Sequence, residues 1–123
     1  MPLVEGDLAA FCLAGAQGKL RDDLIRFNDG WSVCVILASA GYPETSRNGD
    51  RISGLDEIAR ARVYHSGTRR TPGGDWETNG GRVLAVVAGG NTREDAVSRA
   101  HAAADRVAFD GLQRRRDIGI LNF

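Results

Sequence analysis

A chain of 123 residues is one domain by size, long enough to build a hydrophobic core without disulfide or metal staples. Its hydrophobic share of 42% and charged share of 26% are those of an ordinary globular protein. Its formal net charge of zero argues against a general binder of nucleic acid or anionic membranes, which would carry a basic excess. No stretch approaches the roughly 20 apolar residues of a membrane span, and the N-terminus lacks the basic-then-apolar pattern of a secretion signal, so the cytoplasm is the expected location. Lys19 is the only lysine, and the remaining cations are arginines, whose planar forks suit phosphate and carboxylate. Cys12 and Cys34 sit among apolar residues, form no CxxC, and are expected to be buried free thiols.

Residues 5–17 read as a helix, because Val4, Leu8, Phe11, Cys12 and Gly15 recur at helical spacing. Glu5 and Asp7 place negative charge at its start, where the helix dipole favours it, and Gly18 fits a C-terminal stop. Residues 19–30 are polar and mixed, as in a short turn or helix. The apolar run at residues 31–40 is short, rich in β-branched residues and flanked by Gly30 and Gly41, and predicts a buried strand. A loop follows through Gly41-Tyr42-Pro43 to Gly49-Asp50, then a short strand at residues 52–55. Residues 62–68 alternate as a strand. Pro72-Gly73-Gly74 signals a turn, extended chain resumes at residues 77–79, and the two form an antiparallel hairpin. Residues 82–88 (RVLAVVA) are a second buried strand. Thr92, with acid three residues on, caps a final helix that carries Ala96, Val97, Ala100, Ala104 and Val107 on one face and ends near Phe109-Asp110-Gly111. Helix, strands, helix and tail predict one α+β domain over residues 1–123, a mostly antiparallel sheet flanked by helices. The chain starts almost directly in a helix, leaving no expectation of an upstream domain within it.

Catalytic signatures are absent: there is no phosphate-binding GxxxxGK[ST], no GxGxxG, no HExxH, and no Cys/His cluster with zinc spacing. Three segments carry candidate binding residues. In Thr78-Asn79-Gly80-Gly81-Arg82, two glycines permit positive φ and a close backbone approach, their N–H groups can form a concave anion site, and Arg82 adds a fork for phosphate. The local pattern fits a bulge or turn feeding the strand at least as well. His65, followed by Arg69 and Arg70, can hydrogen-bond a ligand, although a strand histidine is more often satisfied within its sheet and arginines beside a hairpin turn are often only solvated. Arg114-Arg115-Arg116-Asp117 offers three cations. It also fits a solvated tail with one internal salt bridge, and it lacks the interleaved aromatics that stack RNA bases.

Taken together, Met1-Pro2-Leu3 with Asp7-Leu8, Gly18-Lys19-Leu20, Gly41-Tyr42-Pro43, Gly49-Asp50 with Ile52 and Gly54-Leu55, His65-Ser66-Gly67-Thr68, Thr78-Asn79-Gly80-Gly81-Arg82-Val83-Leu84 and Arg115-Arg116-Asp117-Ile118-Gly119 resemble the C-terminal domain of phosphoribosylamine–glycine ligases, in that family's order. The resemblance covers essentially the whole chain. It implies the rudiment single hybrid motif fold of ATP-grasp ligases. It also implies an enzyme that joins glycine to phosphoribosylamine with ATP and Mg²⁺ or Mn²⁺ to give glycinamide ribonucleotide, ADP and phosphate in purine biosynthesis. The family's nucleotide-clamping lysines and metal-binding motif lie upstream of the matched segment, so the chain is expected to hold no cofactor and to be inactive alone. Its implied role is to close one side of the active site and hold the substrate phosphate. Arg82 leads that role, with Asn79, Gly80 and Gly81 beside it, Arg69 as a weaker partner across the hairpin, His65 nearby, and Arg116 and Asp117 at the substrate or the domain interface. The expected partners are the phosphoribosyl substrate and either a separate ATP-grasp fragment or a second copy, met through an interface of about 600–1,500 Å². Neither nucleic acid nor membrane is among them. The alternative is a stand-alone phosphosugar-binding or structural module without catalysis.

Overall fold

The structure is a computed structural model, and it describes residues 2–120. The chain runs β1 (Val4–Gly6), α1 (Leu8–Ala16), β2 (Ile25–Phe27), β3 (Trp31–Ala38), β4 (Arg51–Ile52), a 3₁₀ turn (Leu55–Glu57), β5 (Arg62–His65), β6 (Thr68–Arg70), β7 (Trp76–Thr78), β8 (Arg82–Gly90) and α2 (Arg93–Ala104). Every strand pairing among the described residues is antiparallel, which agrees with the predicted α+β class.

The centre is a three-stranded sheet in the order β3-β8-β5. Side chains alternate across a strand, and the register stacks Val33 on Ala88, Val35 on Val86 and Leu37 on Leu84 across one face, with Val63 beside Val86. α2 lies on that face through Ala96, Ala100, Ala103 and Ala104, all buried. Four small residues let the helix backbone approach the sheet closely, so the wider strand residues fill the space between. Thr92 caps α2 as expected, its hydroxyl accepting the Asp95 N–H at 3.1 Å. The helix ends at Ala104, earlier than predicted. Val107 and Phe109 still join the core, but from the turns that follow, where Val107 N–H donates to the Ala104 carbonyl.

A second small sheet, β4-β7-β6, contains the predicted hairpin, with Thr68 opposite Thr78 and Arg70 opposite Trp76. The segment after α2 ties both sheets together by isolated bridges, Ser53 to Ala108 and Ala38 to Gln113.

Four expectations need correction. Residues 5–17 are not one helix: Val4–Gly6 form β1, which pairs with β2 in the stretch expected to be a turn or helix. The helix starts at Leu8 because the Asp7 carboxylate caps it, accepting the Ala10 N–H at 2.9 Å. The strand expected at residues 52–55 reaches only Ile52 and then gives way to the 3₁₀ turn, and the strand at residues 62–68 breaks at Ser66-Gly67 into β5 and β6. Cys12 and Cys34 are both exposed rather than buried. Cys34 alternates with Val33 and Val35, so it points away from α2, onto the sheet face that no helix covers. Met1, quoted in the first of the family-like stretches, lies outside the described residues.

Candidate functional site

The uncovered face of the central sheet carries Cys34, Ile36 and Ala38 from β3. Strict alternation along β8 would send Arg82 to the opposite face, with Leu84, Val86 and Ala88. A β-bulge prevents this: Leu37 faces Leu84 but the next residue, Ala38, faces Arg82, so Val83 is an extra residue in β8. Both Val83 and Leu84 are buried, and Arg82 is turned out. Re-aiming a side chain is the usual effect of such a bulge.

Arg82 therefore lines a cleft of about 430 Å³ with Cys34, Ile36, Ala38, Tyr42, Gln113, Arg114, Arg115 and Ile118. The bridge from Ala38 to Gln113 brings the arginine-rich segment to this cleft, with N–H to carbonyl distances of 2.8 and 2.9 Å in the two directions. The Gln113 amide faces the Tyr42 carbonyl and the Gly41 N–H at the far wall, and in the orientation that satisfies both groups its nitrogen donates to the former at 3.2 Å and its oxygen accepts from the latter at 3.1 Å. Arg114 is almost fully enclosed, its side chain 5% exposed; it is paired with the Asp105 carboxylate and donates to the His101 carbonyl near the end of α2. Arg115 is paired twice with Asp117, at 2.9 and 2.5 Å, and holds that carboxyl below the usual carboxylate range. No carboxylate lines the cleft itself, and Arg82 has no ion pair or side-chain hydrogen bond among the described residues. Of the three guanidiniums at this cleft, only that of Arg82 is uncompensated.

The rest of the Asn79-Gly80-Gly81 segment is placed by packing. A Cβ on Gly81 would lie 2.4 Å from the Tyr42 ring, and one on Gly67 would lie 2.9 Å from the Gly80 Cα. The Asn79 N–H donates to the Gly67 carbonyl, and the Gly81 carbonyl accepts from the Ser39 N–H and hydroxyl. These residues hold Arg82 and Tyr42 in position, and none of the three lines the cleft.

The other sequence candidates fall elsewhere. His65 lines a separate cleft of about 560 Å³ with Trp76, Arg70, Arg51 and Asp75. Its ring packs on Trp76 at 4.2 Å and its Nδ1 meets the Thr68 hydroxyl at 3.0 Å, while burial pushes its pKa below 6.5. Arg69 is joined to Glu77, its cross-strand partner, by a 2.6 Å hydrogen bond and is not beside Arg82. Arg116 is exposed and 3.6 Å from Asp105. Asp117 reaches the cleft only through Arg115. Sequence reasoning missed Gln113, quoted Tyr42 only as part of the family-like Gly41-Tyr42-Pro43, and named Arg114 and Arg115 only as members of the arginine run. A useful signal was available in the alternate positions 34, 36 and 38, which mark one face of β3. Among the described residues no three His, Cys, Asp or Glu side chains are grouped to hold a metal ion.

Comparison with known proteins gives the family and the fold. The family model for the phosphoribosylglycinamide synthetase C domain matches residues 32–121. A phosphoribosylamine–glycine ligase of Neisseria meningitidis serogroup A is 40% identical over 119 residues, covering 96% of this chain and 28% of the relative. The Vibrio vulnificus (strain YJ016) ligase is 41% identical over 121 residues, covering 97% of this chain and 28% of the relative. The crystal structure of the phosphoribosylamine–glycine ligase from Thermotoga maritima superposes with a TM-score of 0.75 at 31% identity, over 89% of this chain and 26% of that one. The chain thus spans just over a quarter of the length of the curated relatives it matches. It belongs to the phosphoribosylglycinamide synthetase C-domain family.

Proposed function

We propose that the chain acts as the C-terminal domain of a cytoplasmic phosphoribosylamine–glycine ligase in purine biosynthesis, holding the phosphate of the phosphoribosyl substrate while the rest of the ligase, with ATP and a divalent metal, carries out the joining reaction. The observation that supports this is the uncompensated Arg82 guanidinium on the wall of a cleft without carboxylates. A planar fork there can take two phosphate oxygens at once. Arg115 stands second, already oriented by Asp117. Tyr42, Ile36 and Ile118 supply a largely apolar wall against which a sugar ring can rest, excluding water from the charge contact. Binding alone supplies no acyl-phosphate chemistry.

The test is calorimetric titration of the isolated chain with glycinamide ribonucleotide, for wild type and Arg82→Ala. A charge-assisted hydrogen bond contributes about 1.5–3 kcal/mol, so the variant should bind at least about tenfold more weakly, with the wild-type affinity falling as salt rises. Equal affinities, or no binding by the wild type, would overturn the phosphate role. The isolated chain, supplied with glycine, phosphoribosylamine and ATP, should release no ADP above background.

A further inference from the structure

We infer that α1 and the loop after it form half of an apolar interface, completed by the part of the ligase that lies outside this chain. The inference rests on reading the chain as the C-terminal part of that ligase. α1 is Leu-Ala-Ala-Phe-Cys-Leu-Ala-Gly-Ala, nine residues without a charge or a polar side chain on any side. Its ends are well made: Asp7 caps the first turn, and the Lys19 N–H closes on the Ala14 carbonyl at 2.8 Å. Yet none of its residues is buried. A helix apolar all round belongs in an interior, and one shorter than about 12–15 residues is marginal in water without packing.

Leu20 folds back over Gly15, its Cδ2 3.7 Å from where a Cβ would stand, and is still 58% exposed; Leu13 is 59% exposed. Between α1 and the following loop runs a groove of about 410 Å³, lined by Ala10, Leu13, Ala14, Gln17, Lys19, Arg21 and Leu24. On the neighbouring β2, Phe27 is 72% exposed. Such a cluster is an unfinished core.

Two comparisons indicate what finishes it. The C-domain match begins at residue 32, after this unit. The match to the full Neisseria meningitidis ligase covers 96% of the chain, so nearly all of residues 2–31 has a counterpart in that enzyme. These residues lie outside the matched C domain but inside the ligase, and this chain matches only 28% of that relative's length. The occupant is therefore an apolar surface of the remaining ligase where it meets α1, which has no group to pair with a charge, while Lys19 and Arg21 line the groove from the loop side. A second copy is a poor occupant: a nine-residue helix is about 13.5 Å long, so two facing each other would bury far less than the roughly 800 Å² per partner of a stable interface.

The experiment compares the isolated chain with a hybrid in which it replaces the matching C-terminal part of the Neisseria meningitidis ligase, each as wild type, Leu13→Glu and Ala102→Glu. Ala102 is an exposed residue on α2 and serves as a control. Hydrogen exchange should show α1 amides unprotected in the isolated chain and at least a hundredfold slower in the hybrid. Leu13→Glu should lower the melting temperature of the hybrid but not that of the isolated chain, and Ala102→Glu should change neither. The same set in a Vibrio vulnificus hybrid guards against one scaffold failing to fold. Unprotected α1 in a folded hybrid, an equal effect of Leu13→Glu in both settings, or dimers of the isolated chain that protect α1 would each overturn the inference. Titration of the isolated Leu13→Glu chain with glycinamide ribonucleotide separates the two proposals. Docking can fail while Arg82-dependent binding persists, and binding can fail while α1 becomes protected.

Discussion

Arg114 offers a sharp test of how the arginine segment is held. Its enclosed guanidinium reaches two acceptors, the Asp105 carboxylate and the His101 carbonyl, the latter at 3.3 Å. Arg114→Met keeps most of the aliphatic stem and removes both hydrogen bonds. The losses are unequal. The His101 carbonyl keeps the Asp105 N–H at 2.9 Å, so it is not stranded. Asp105 is 55% exposed on its side chain, so its released carboxylate regains water. What remains is one charge-assisted bond made by a desolvated arginine, at the low end of its range, about 1.5–2 kcal/mol. For a domain of this size each kcal/mol moves the melting temperature by about 4 °C, so a drop of about 6–8 °C is expected. Urea unfolding of Arg114→Met, Asp105→Ala and the double variant should give a coupling energy of at least about 1 kcal/mol. A coupling within experimental error of zero, with the single variant losing less than about 0.5 kcal/mol, would refute the view that this pair anchors the segment to α2.

Two further outcomes are expected. Gly54→Ala should destabilise the chain by about 1–3 kcal/mol more than Gly49→Ala in urea unfolding: both glycines have positive φ, but a Cβ at Gly54 would lie 1.9 Å from the Arg106 carbonyl oxygen while one at Gly49 meets nothing within 4 Å. Stability should also fall as pH drops below 6.5, because burial depresses the His65 pKa in the folded state. The unfolded chain then takes up a proton that the folded chain resists, so the His65 contribution is intact above 6.5 and fades as pH falls toward the folded value; a wild-type stability profile no steeper than that of His65→Gln over this range would count against it.

The parts of the fold that were legible in the sequence are those whose signal is local and strong. Residues 31–40 and 82–88 announced β3 and β8 through β-branched density between glycines, Thr92 announced α2, and Pro72-Gly73-Gly74 announced the β6–β7 turn. β1 and β2 were missed because three-residue strands carry no periodicity, and only their pairing with each other defines them. Cys34 was misjudged because the β3 run is apolar on both faces. A continuous run reads as a strand buried on both sides, whereas here only Val33, Val35 and Leu37 meet α2. The candidate site was legible as residue types but not as a grouping. Arg82 reaches its cleft through a bulge that no residue type signals, and Arg69, expected beside it across the hairpin, and His65, expected nearby, are taken elsewhere by cross-strand pairing with Glu77 and packing on Trp76.

The places where this chain breaks the ordinary rules of burial share a physical character. On the α2 side of the sheet, apolar residues are covered, and among the described residues no enclosed side-chain polar atom lacks a partner. On the other side, Ile36 and Tyr64 stand exposed, Ile36 in the same cleft as an arginine that no carboxylate balances, and at the N-terminal end an uncharged helix lies on the surface. An isolated domain gains nothing from either arrangement, since exposed apolar area and an uncompensated guanidinium contribute little to its own stability. Both become favourable when something else arrives: an anion at Arg82, and an apolar surface at α1. Polar substitutions at these two places, such as a carboxylate opposite Arg82 or charges on α1, should therefore raise the solubility of the isolated chain while weakening the assembled enzyme. Substitutions of the same kind on the solvent side of α2 should leave the assembled enzyme as it was.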